Sequence, residues 1–260
     1  FNIGCVIILF PFSNLLVKLA TLSIPDGKHE EVIQTGVAAD LAALDERFLE
    51  TPAVAMELCR NTAVKMAHLS QKALDKALDI INNYSDAAYD EVVAMEEDVD
   101  KYEDKLGSYL VKVGNCDLSR HDNHTFSILL HCMSDFERIS DHAENLADLT
   151  KYKIEHDIVF SQRGQDELRQ LWDKVLCCFD RAVVARETGD EAAIRDVYRI
   201  EDEVDDLEEE LRDKHIKRLS DGKCLPSNGV VFLDILSNLE RMSDHAKNVA
   251  ECVQEEISSN

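Results

Sequence analysis

The amino-acid sequence predicts an all-α protein, made of two tandem antiparallel three-helix bundles with an N-terminal apolar helix stub. Three observations predict this fold class. Apolar residues recur at spacings of three and four along most of the chain, which is typical of amphipathic helices, and no alternating strand pattern competes with them. Short polar turns join the helical segments, as expected of antiparallel bundles. Finally, the second half of the chain repeats the order of the first.

The repeat is visible as a nine-residue phrase, which occurs at Glu137 to Asn145 and again at Glu240 to Asn248. Seven of its nine positions are identical in the two copies. An acidic block precedes each copy, at Glu96 to Asp100 and at Glu201 to Asp205. The chain is therefore an internal duplication, in which an acidic helix is followed by a helix with the pattern Glu-x-x-x-Asp-His.

The segment Phe1 to Ala20 is almost wholly apolar, with Lys18 as its one charge and Pro11 near its middle. About 17 apolar-dominated residues before Lys18 are marginal for a full membrane span. We interpret residues 1–24 as the end of a truncated transmembrane helix. A signal peptide and a buried core helix are the alternatives, although the basic amino end and the small-residue cleavage site of a signal peptide are missing. Residues 25–50 should form a connector and a linking helix.

Bundle one is predicted to span residues 51–157. Thr51 is suited to an N-cap, and Pro52 favours the first helical turn. Ser85 should cap the second helix, since a turn precedes it and an apolar stripe follows. The three helices are predicted to end near Asn82, Gly114 and Tyr152.

Bundle two is predicted to span residues 158–260. Its first helix should begin around Gly164, and Gly189 with Asp190 should form the turn into its second helix. The segment Asp190 to Leu211 aligns with Ser85 to Leu106 without a gap. The first two helices are predicted to end near Glu187 and Leu219, and the third to run to the end of the chain.

The composition limits the partners of this chain. With 260 residues there is enough length for a real core, and the formal net charge is −24. Nucleic-acid binding depends on Lys and Arg that neutralise phosphates, so we expect no nucleic-acid partner. Cationic ligands, metal ions above all, are the natural partners. The eight cysteines show no Cys-x-x-Cys spacing, and we interpret them as reduced apolar residues.

Four pairs of carboxylates lie four residues apart, so that both members of a pair share one helix face. Each pair directly follows an apolar stripe residue, which places it at the edge of the buried face. Two pairs from adjacent helices would carry a prohibitive charge unless they were protonated or bridged by a cation. Oxygen ligands favour Fe, Mn, Mg, Ca or Zn over Cu(I). The candidate metal ligands are Glu96, Asp100, Glu137, Asp141, Glu201, Asp205, Glu240 and Asp244.

The alternative is a solvated acidic face, partly paired with Arg138, Arg241 and Lys101. An exposed like-charged pair costs only about 0.2 to 0.5 kcal/mol, so energy alone does not exclude it. Four further side chains beside the pairs are candidates for positioning the metal ligands, with contacts between helices as the alternative role. These side chains are His142, Asn145, His245 and Asn248.

No catalytic residue is predicted. The sequence contains no phosphate-cradling Gly-rich loop, no Cys/His zinc spacing and no nucleophile elbow. The Glu-x-x-His spacing of di-iron bundle oxidases is also absent. We therefore expect a protein that is not an enzyme.

The two duplicated phrases, each after an acidic Glu-x-x-x-Asp block, closely resemble the PhoU family. The resemblance implies two tandem three-helix bundles and multinuclear metal clusters, usually of iron or zinc. From the chemistry of the carboxylate ligands, manganese and magnesium are further candidates. Carried over by position, the family's ligands fall on the eight carboxylates named above.

A second resemblance lies at the amino end. The string Leu44 to Pro52, after an apolar run, is similar to the junction between the last membrane helix and a carboxy-terminal PhoU domain in bacterial sodium-dependent phosphate cotransporters. It implies the cytoplasmic domain of a cell-membrane protein, anchored by its amino-terminal helix, that senses or modulates phosphate uptake. Inorganic phosphate and sodium would be partners of the membrane part, and a homodimer is a further expected assembly. A metal-free acidic scaffold and a carboxylate-bridged metalloenzyme are rival hypotheses.

Overall fold

The computed structural model describes residues 36–258. Within this range the chain forms a short helix, a 3-10 helix at Glu46–Glu50 and six long helices. The predicted stub at residues 1–24 lies outside the described residues. The α-helices are α1 (Val37–Ala42), α2 (Pro52–Ile80), α3 (Asp86–Gly114), α4 (Arg120–Glu155), α5 (Gln162–Thr188), α6 (Glu191–Ser220) and α7 (Pro226–Ser258).

The helices begin where the sequence offers a side chain to cap them. The hydroxyl of Ser85 accepts the amide of Ala88, and Ser161 caps α5 in the same way. Asp190 caps α6, directly after Gly189, whose φ of +68° closes the carboxyl end of α5. Glycine adopts this left-handed conformation without steric cost. The five helix ends that were predicted before the last helix lie within three residues of the observed ends.

The linking helix predicted within residues 25–50 is interrupted. α1 ends at Ala42, and the chain resumes as the 3-10 helix at Glu46. Asp45 causes the break, because its carboxylate accepts the backbone amide of Arg47 and pairs with the Arg47 guanidinium at 2.7 Å. An Asp that bonds its own backbone two residues on favours a turn over a continuing helix.

The six long helices form two antiparallel three-helix bundles, α2–α3–α4 and α5–α6–α7, which confirms the predicted fold class. Bundle one packs on bundle two chiefly along α4 and α7, with α2 against α5. The apolar faces merge into one core, where the rings of Phe136 on α4 and Phe179 on α5 lie 6.4 Å apart. The packing brings the middle of α3 beside α4, and of α6 beside α7, where the acidic residues lie.

Candidate metal centres

The structure brings carboxylates from adjacent helices together in each bundle. In bundle one, Glu96 and Asp100 of α3 meet Asp141 of α4, with one oxygen from each within 4.8 Å of the others. We call this group cluster one. Two unit charges at such a separation repel by roughly 3 to 4 kcal/mol near a protein surface. A bound cation would remove this repulsion.

Cluster two is the equivalent group in bundle two. Glu201 and Asp205 of α6 meet Asp244 of α7, again with oxygens within 4.8 Å of one another. Glu201 is the most buried member, with 2% of its surface exposed. Burial raises the pKa of Glu201, and burial together with the charge of Asp244 raises the pKa of Asp205.

Burial and the repulsion between carboxylates raise pKa values further in and around cluster one than in cluster two. Burial, followed by the charge of Asp100, raises the pKa of Glu96 to about 7. Burial and the charge of Asp141 raise the pKa of Glu137, which lies beside cluster one, to about 7 as well. A carboxylate with a pKa this high is half protonated near neutral pH, so the site gains from any cation that restores its charge.

Two of the eight predicted ligands, Glu137 and Glu240, lie beside the clusters rather than within the three-carboxylate groups. Glu137 pairs with Arg138 at 3.5 Å, and Arg138 also contacts Asp141 at 3.4 Å. Burial and the charges of Asp244 and Asp205 raise the pKa of Glu240. Both glutamates therefore add negative potential to the clusters, whether or not they contact an ion.

Two acidic residues that the sequence interpretation missed belong to the same surface. Glu103 follows Asp100 by three residues, and Glu144 follows Asp141 by three, so both continue the acidic faces. Burial and the neighbouring carboxylates raise the pKa of each. The spacing of four and then three could have revealed them, because both steps stay on one helix face.

Lys247 distinguishes cluster two from cluster one. The duplicated phrase has Glu144 in its first copy where it has Lys247 in its second. The Lys247 ammonium donates to both carboxylate oxygens of Glu201, at 2.8 and 2.7 Å. Cluster two thus contains an internal cation, whereas the same position in cluster one adds another carboxylate.

The histidines of the duplicated phrase cross between the bundles. His142 Nδ1 donates to Asn238 Oδ1 at 2.9 Å, and His245 Nδ1 donates to Asp135 Oδ1 at 3.0 Å. Asn248 donates to the same Asp135 oxygen at 3.0 Å. These are the inter-helix contacts that the sequence left open as an alternative role. Asn145, the fourth predicted positioning residue, is exposed on α4.

The donor set fits a hard or borderline cation. The clusters offer carboxylate oxygens from two helices, which suits Fe, Zn, Mn or Mg. The helices also fix the ligands, because Glu96 and Asp100, like Glu201 and Asp205, are separated by one helical turn. The fold and these two sites define a class of helical-bundle proteins with paired acidic clusters.

The chain belongs to the PhoU domain family, whose model matches residues 63–150 and 168–253. Each matched segment lies within one of the two bundles. A curated relative from Thermotoga maritima, the phosphate-specific transport system accessory protein PhoU homolog 1, is 22% identical over 198 residues, which cover 75% of this chain and 84% of the relative. The PhoU homolog of Deinococcus radiodurans is 24% identical over 204 residues, covering 75% and 90%.

Solved structures show the same fold. PhoU from Pseudomonas aeruginosa superposes with a TM-score of 0.73 at 20% identity, covering 78% of this chain and 97% of that one. The phosphate transport system regulatory protein PhoU from Streptococcus pneumoniae gives a TM-score of 0.71 at 15% identity, covering 81% and 98%.

The predicted localisation, a cell-membrane protein with this domain on its cytoplasmic side, was wrong. The curated relatives are accessory proteins of a phosphate-specific transport system. Within residues 36–258, no helix combines the length and the apolarity needed to cross a bilayer. The long helices each bury one apolar stripe and carry charge on the opposite face, which hydrocarbon does not tolerate.

Proposed function

We propose that this chain is a metal-binding regulator of phosphate transport, and that it acts by binding partners rather than by catalysis. The observation that carries the proposal is the convergence of three carboxylates from two helices in cluster one. The relatives named as phosphate-specific transport accessory and regulatory proteins support phosphate transport as the regulated process. Iron or zinc is the first candidate ion, with manganese and magnesium next.

The mechanism follows from the position of the clusters. A cation held between α3 and α4 would bind the helices of bundle one to each other, and cluster two would do the same for α6 and α7. The bound ion would also present positive charge on an otherwise acidic surface, to which phosphate or an anionic partner can bind. Metal binding would thereby favour one packing of the helices over another. The size of this shift is set by the difference between the affinities of the two packings for the metal ion.

We further propose that cluster one binds metal more tightly than cluster two. Lys247 neutralises Glu201 and would have to be displaced, or would repel an incoming cation. Glu144, at the equivalent position of cluster one, instead attracts it. This difference predicts two classes of site in one chain.

The metal proposal is tested by stripping the purified full chain of metal and adding Fe, Zn, Mn or Mg separately while unfolding is followed by circular dichroism. An ion at 100 times its Kd should stabilise the folded chain by about 2.7 kcal/mol. The matched control is Asp213→Asn, which removes an exposed carboxylate of α6 outside the clusters. This variant should be stabilised by metal as much as the wild-type chain. No stabilisation by any of the four ions would reject the metal proposal.

A metal-free acidic scaffold for protein–protein interaction is the second candidate. The observation that favours it is the Lys247–Glu201 ion pair, which quenches part of cluster two without a metal. A scaffold would hold its partner equally well before and after metal removal. Pull-down of a phosphate transporter by the stripped and the metal-loaded chain separates the two functions.

We also propose that the regulated transporter is sodium-dependent. The support is the string Leu44 to Pro52, which forms the 3-10 helix and the start of α2. Phosphate uptake by cells with and without this chain should be compared in sodium and in potassium medium. The proposal requires the chain to alter uptake in sodium only, and an equal effect in both media would contradict it.

A further inference from the structure

A pocket of about 340 Å³ opens at one end of bundle two, where α5 begins, α6 ends and α7 begins. Its volume is within the range of small-molecule sites in proteins. The rings of Phe160 and Phe232 form an edge-to-face pair in its wall, with centroids 5.6 Å apart. Two large aliphatic side chains on the wall, Val159 and Leu225, are 72% and 66% exposed.

The internal duplication shows why the pocket exists. The two family matches begin at residues 63 and 168, and in this register the buried positions of α2 coincide with those of α5. Bundle one has the large side chain Met56 at this end. Its counterpart in bundle two is Ser161, and Cys59 is likewise replaced by Gly164.

One side of the pocket is polar, whereas the equivalent region of bundle one is apolar. Leu110 and Val113 are fully buried in bundle one, and their counterparts in bundle two are His215 and Arg218. The Arg218 guanidinium pairs with Glu167 at 2.8 Å and lies 5.7 Å from the centre of the Phe232 ring. Large apolar groups have thus been exchanged for small residues and polar groups at one place.

The charges that line the pocket favour an anion. Arg218 and Lys223 line it, and among its lining residues within 36–258 none is acidic, in a chain with 52 acidic residues. Lys223 pairs with Asp221 at 2.9 Å but keeps 70% of its side chain exposed. Burial, and then the charge of Arg218, lowers the pKa of His215, so this ring is neutral at pH 7 and stacks on Phe232 with centroids 4.3 Å apart.

We propose that this pocket binds a small aromatic anion, whose ring packs against Phe160 and Phe232 and whose phosphate or carboxylate group faces Arg218 and Lys223. Arginine and lysine are the side chains that bind phosphate and carboxylate groups by charge-assisted hydrogen bonds. The apolar walls add area that a bare inorganic anion cannot use. The site should therefore bind a ligand that has both an aromatic ring and an anionic group more tightly than a ligand that has only one of them.

The pocket is separate from the metal clusters. His215 follows Asp205 by ten residues on α6, which corresponds to about 15 Å along the helix axis. Binding should accordingly be measured on the metal-free full chain. Failure of the metal proposal would then leave this result unaffected, and the reverse also holds.

The experiment is isothermal titration with three probes: phenyl phosphate, phenol and inorganic phosphate. Phenyl phosphate should bind at least about tenfold more tightly than either half, the equivalent of one charge-assisted hydrogen bond. The proposal sets a Kd of about 1 mM as the weakest acceptable affinity for phenyl phosphate. No detectable binding at about ten times that concentration would overturn the proposal. If phenol bound as tightly as phenyl phosphate, the proposed role of the anionic group would be overturned. If inorganic phosphate bound as tightly, the proposed role of the aromatic ring would be overturned.

Variants locate the binding. A Cβ added at Gly164 would meet the Phe232 ring at 3.6 Å, an ordinary contact, so Gly164→Ala should fold. Gly164→Leu fills the pocket and should abolish binding without lowering the unfolding temperature, because leucine favours helix over glycine. The exposed Lys223 cannot affect the core, and Lys223→Gln should weaken binding about tenfold. Unchanged affinity in both Gly164→Leu and Lys223→Gln would place the ligand elsewhere and reject the site.

Discussion

Gly229 of α7 lies directly against Leu219 at the end of α6, so closely that a Cβ added to Gly229 would stand 2.8 Å from Leu219 Cδ2. The equivalent pair in bundle one is Gly114 and Phe126, where a Cβ on Gly114 would stand 3.0 Å from the Phe126 ring. The small residue is on the third helix in one bundle and on the second helix in the other. The duplicated bundles have therefore kept the contact and exchanged its two sides.

This contact predicts the effect of a single methyl group. Gly229→Ala should destabilise the chain by about 1 to 3 kcal/mol, the usual cost of overpacking a core. Leu219→Ala in the same chain should recover most of that loss, because it removes the atoms that clash. Urea unfolding of both single variants and the double variant measures the coupling. Additive effects would show that the two side chains do not compete for space.

A second prediction concerns cluster one. Asp141→Asn removes one charge from the three converging carboxylates and should weaken metal retention in bundle one by about tenfold or more. Helix content should stay at the wild-type value, since the new amide side chain would remain on the surface face of α4. Metal analysis after dialysis, together with circular dichroism, measures both effects. Loss of the fold with unchanged metal content would contradict a ligand role.

Lys247 provides a third prediction. Lys247→Glu gives cluster two the residue that cluster one has in Glu144, and removes the bidentate partner of the buried Glu201. Without metal, the variant should lose roughly 1 to 3 kcal/mol of stability, because the nearly buried Glu201 carboxylate loses its charged partner, whereas Lys247 itself keeps 31% of its side chain exposed. Added metal should restore much of this loss and raise the number of ions bound. Unfolding curves of the variant with and without metal measure both effects. A loss of stability that no ion reverses would count against cluster two as a metal site.

The inter-bundle histidines give a fourth prediction. Asp135 is only 13% exposed and accepts from both His245 and Asn248, so His245→Ala would leave a buried carboxylate underpaired. This variant should cost about 2 to 3 kcal/mol, and His142→Ala about 1 kcal/mol, because its partner Asn238 is neutral. Denaturant titration provides the free energies of unfolding. Metal content should stay unchanged in both variants, whereas a drop would assign these rings to the positioning of metal ligands.

The fifth prediction is a pH dependence. Because burial lowers the pKa of His215 below its ordinary value of 6.5, the unfolded chain binds a proton more readily than the folded chain as pH falls. The folded state should lose stability as pH falls through 6.5 toward the lowered value. His215→Leu, with the residue found at the equivalent Leu110, should lose less between pH 7 and pH 5. Equal losses in wild type and variant would exclude a contribution from this ring.

The sequence predicted the long helices and their acidic faces because both depend on near neighbours. A serine cap such as Ser85 acts within one turn, and the glutamate and aspartate of a pair such as Glu96 and Asp100 share a face by helical geometry alone. The interrupted linking helix at Asp45 depends on a side chain that bonds its own backbone, a local signal that the apolar pattern concealed.

Tertiary structure decided which of these surfaces meet. The convergence of Asp141 with Glu96, the ion pair of Lys247 with Glu201 and the hydrogen bond from His245 to Asp135 join residues between about 45 and 110 positions apart. Helical periodicity fixes the direction of a side chain around its own axis, but it does not fix the rotation of one helix against the next. That rotation is set by the fit of many apolar side chains in the shared core, and it determines where carboxylates, cations and the pocket of bundle two lie.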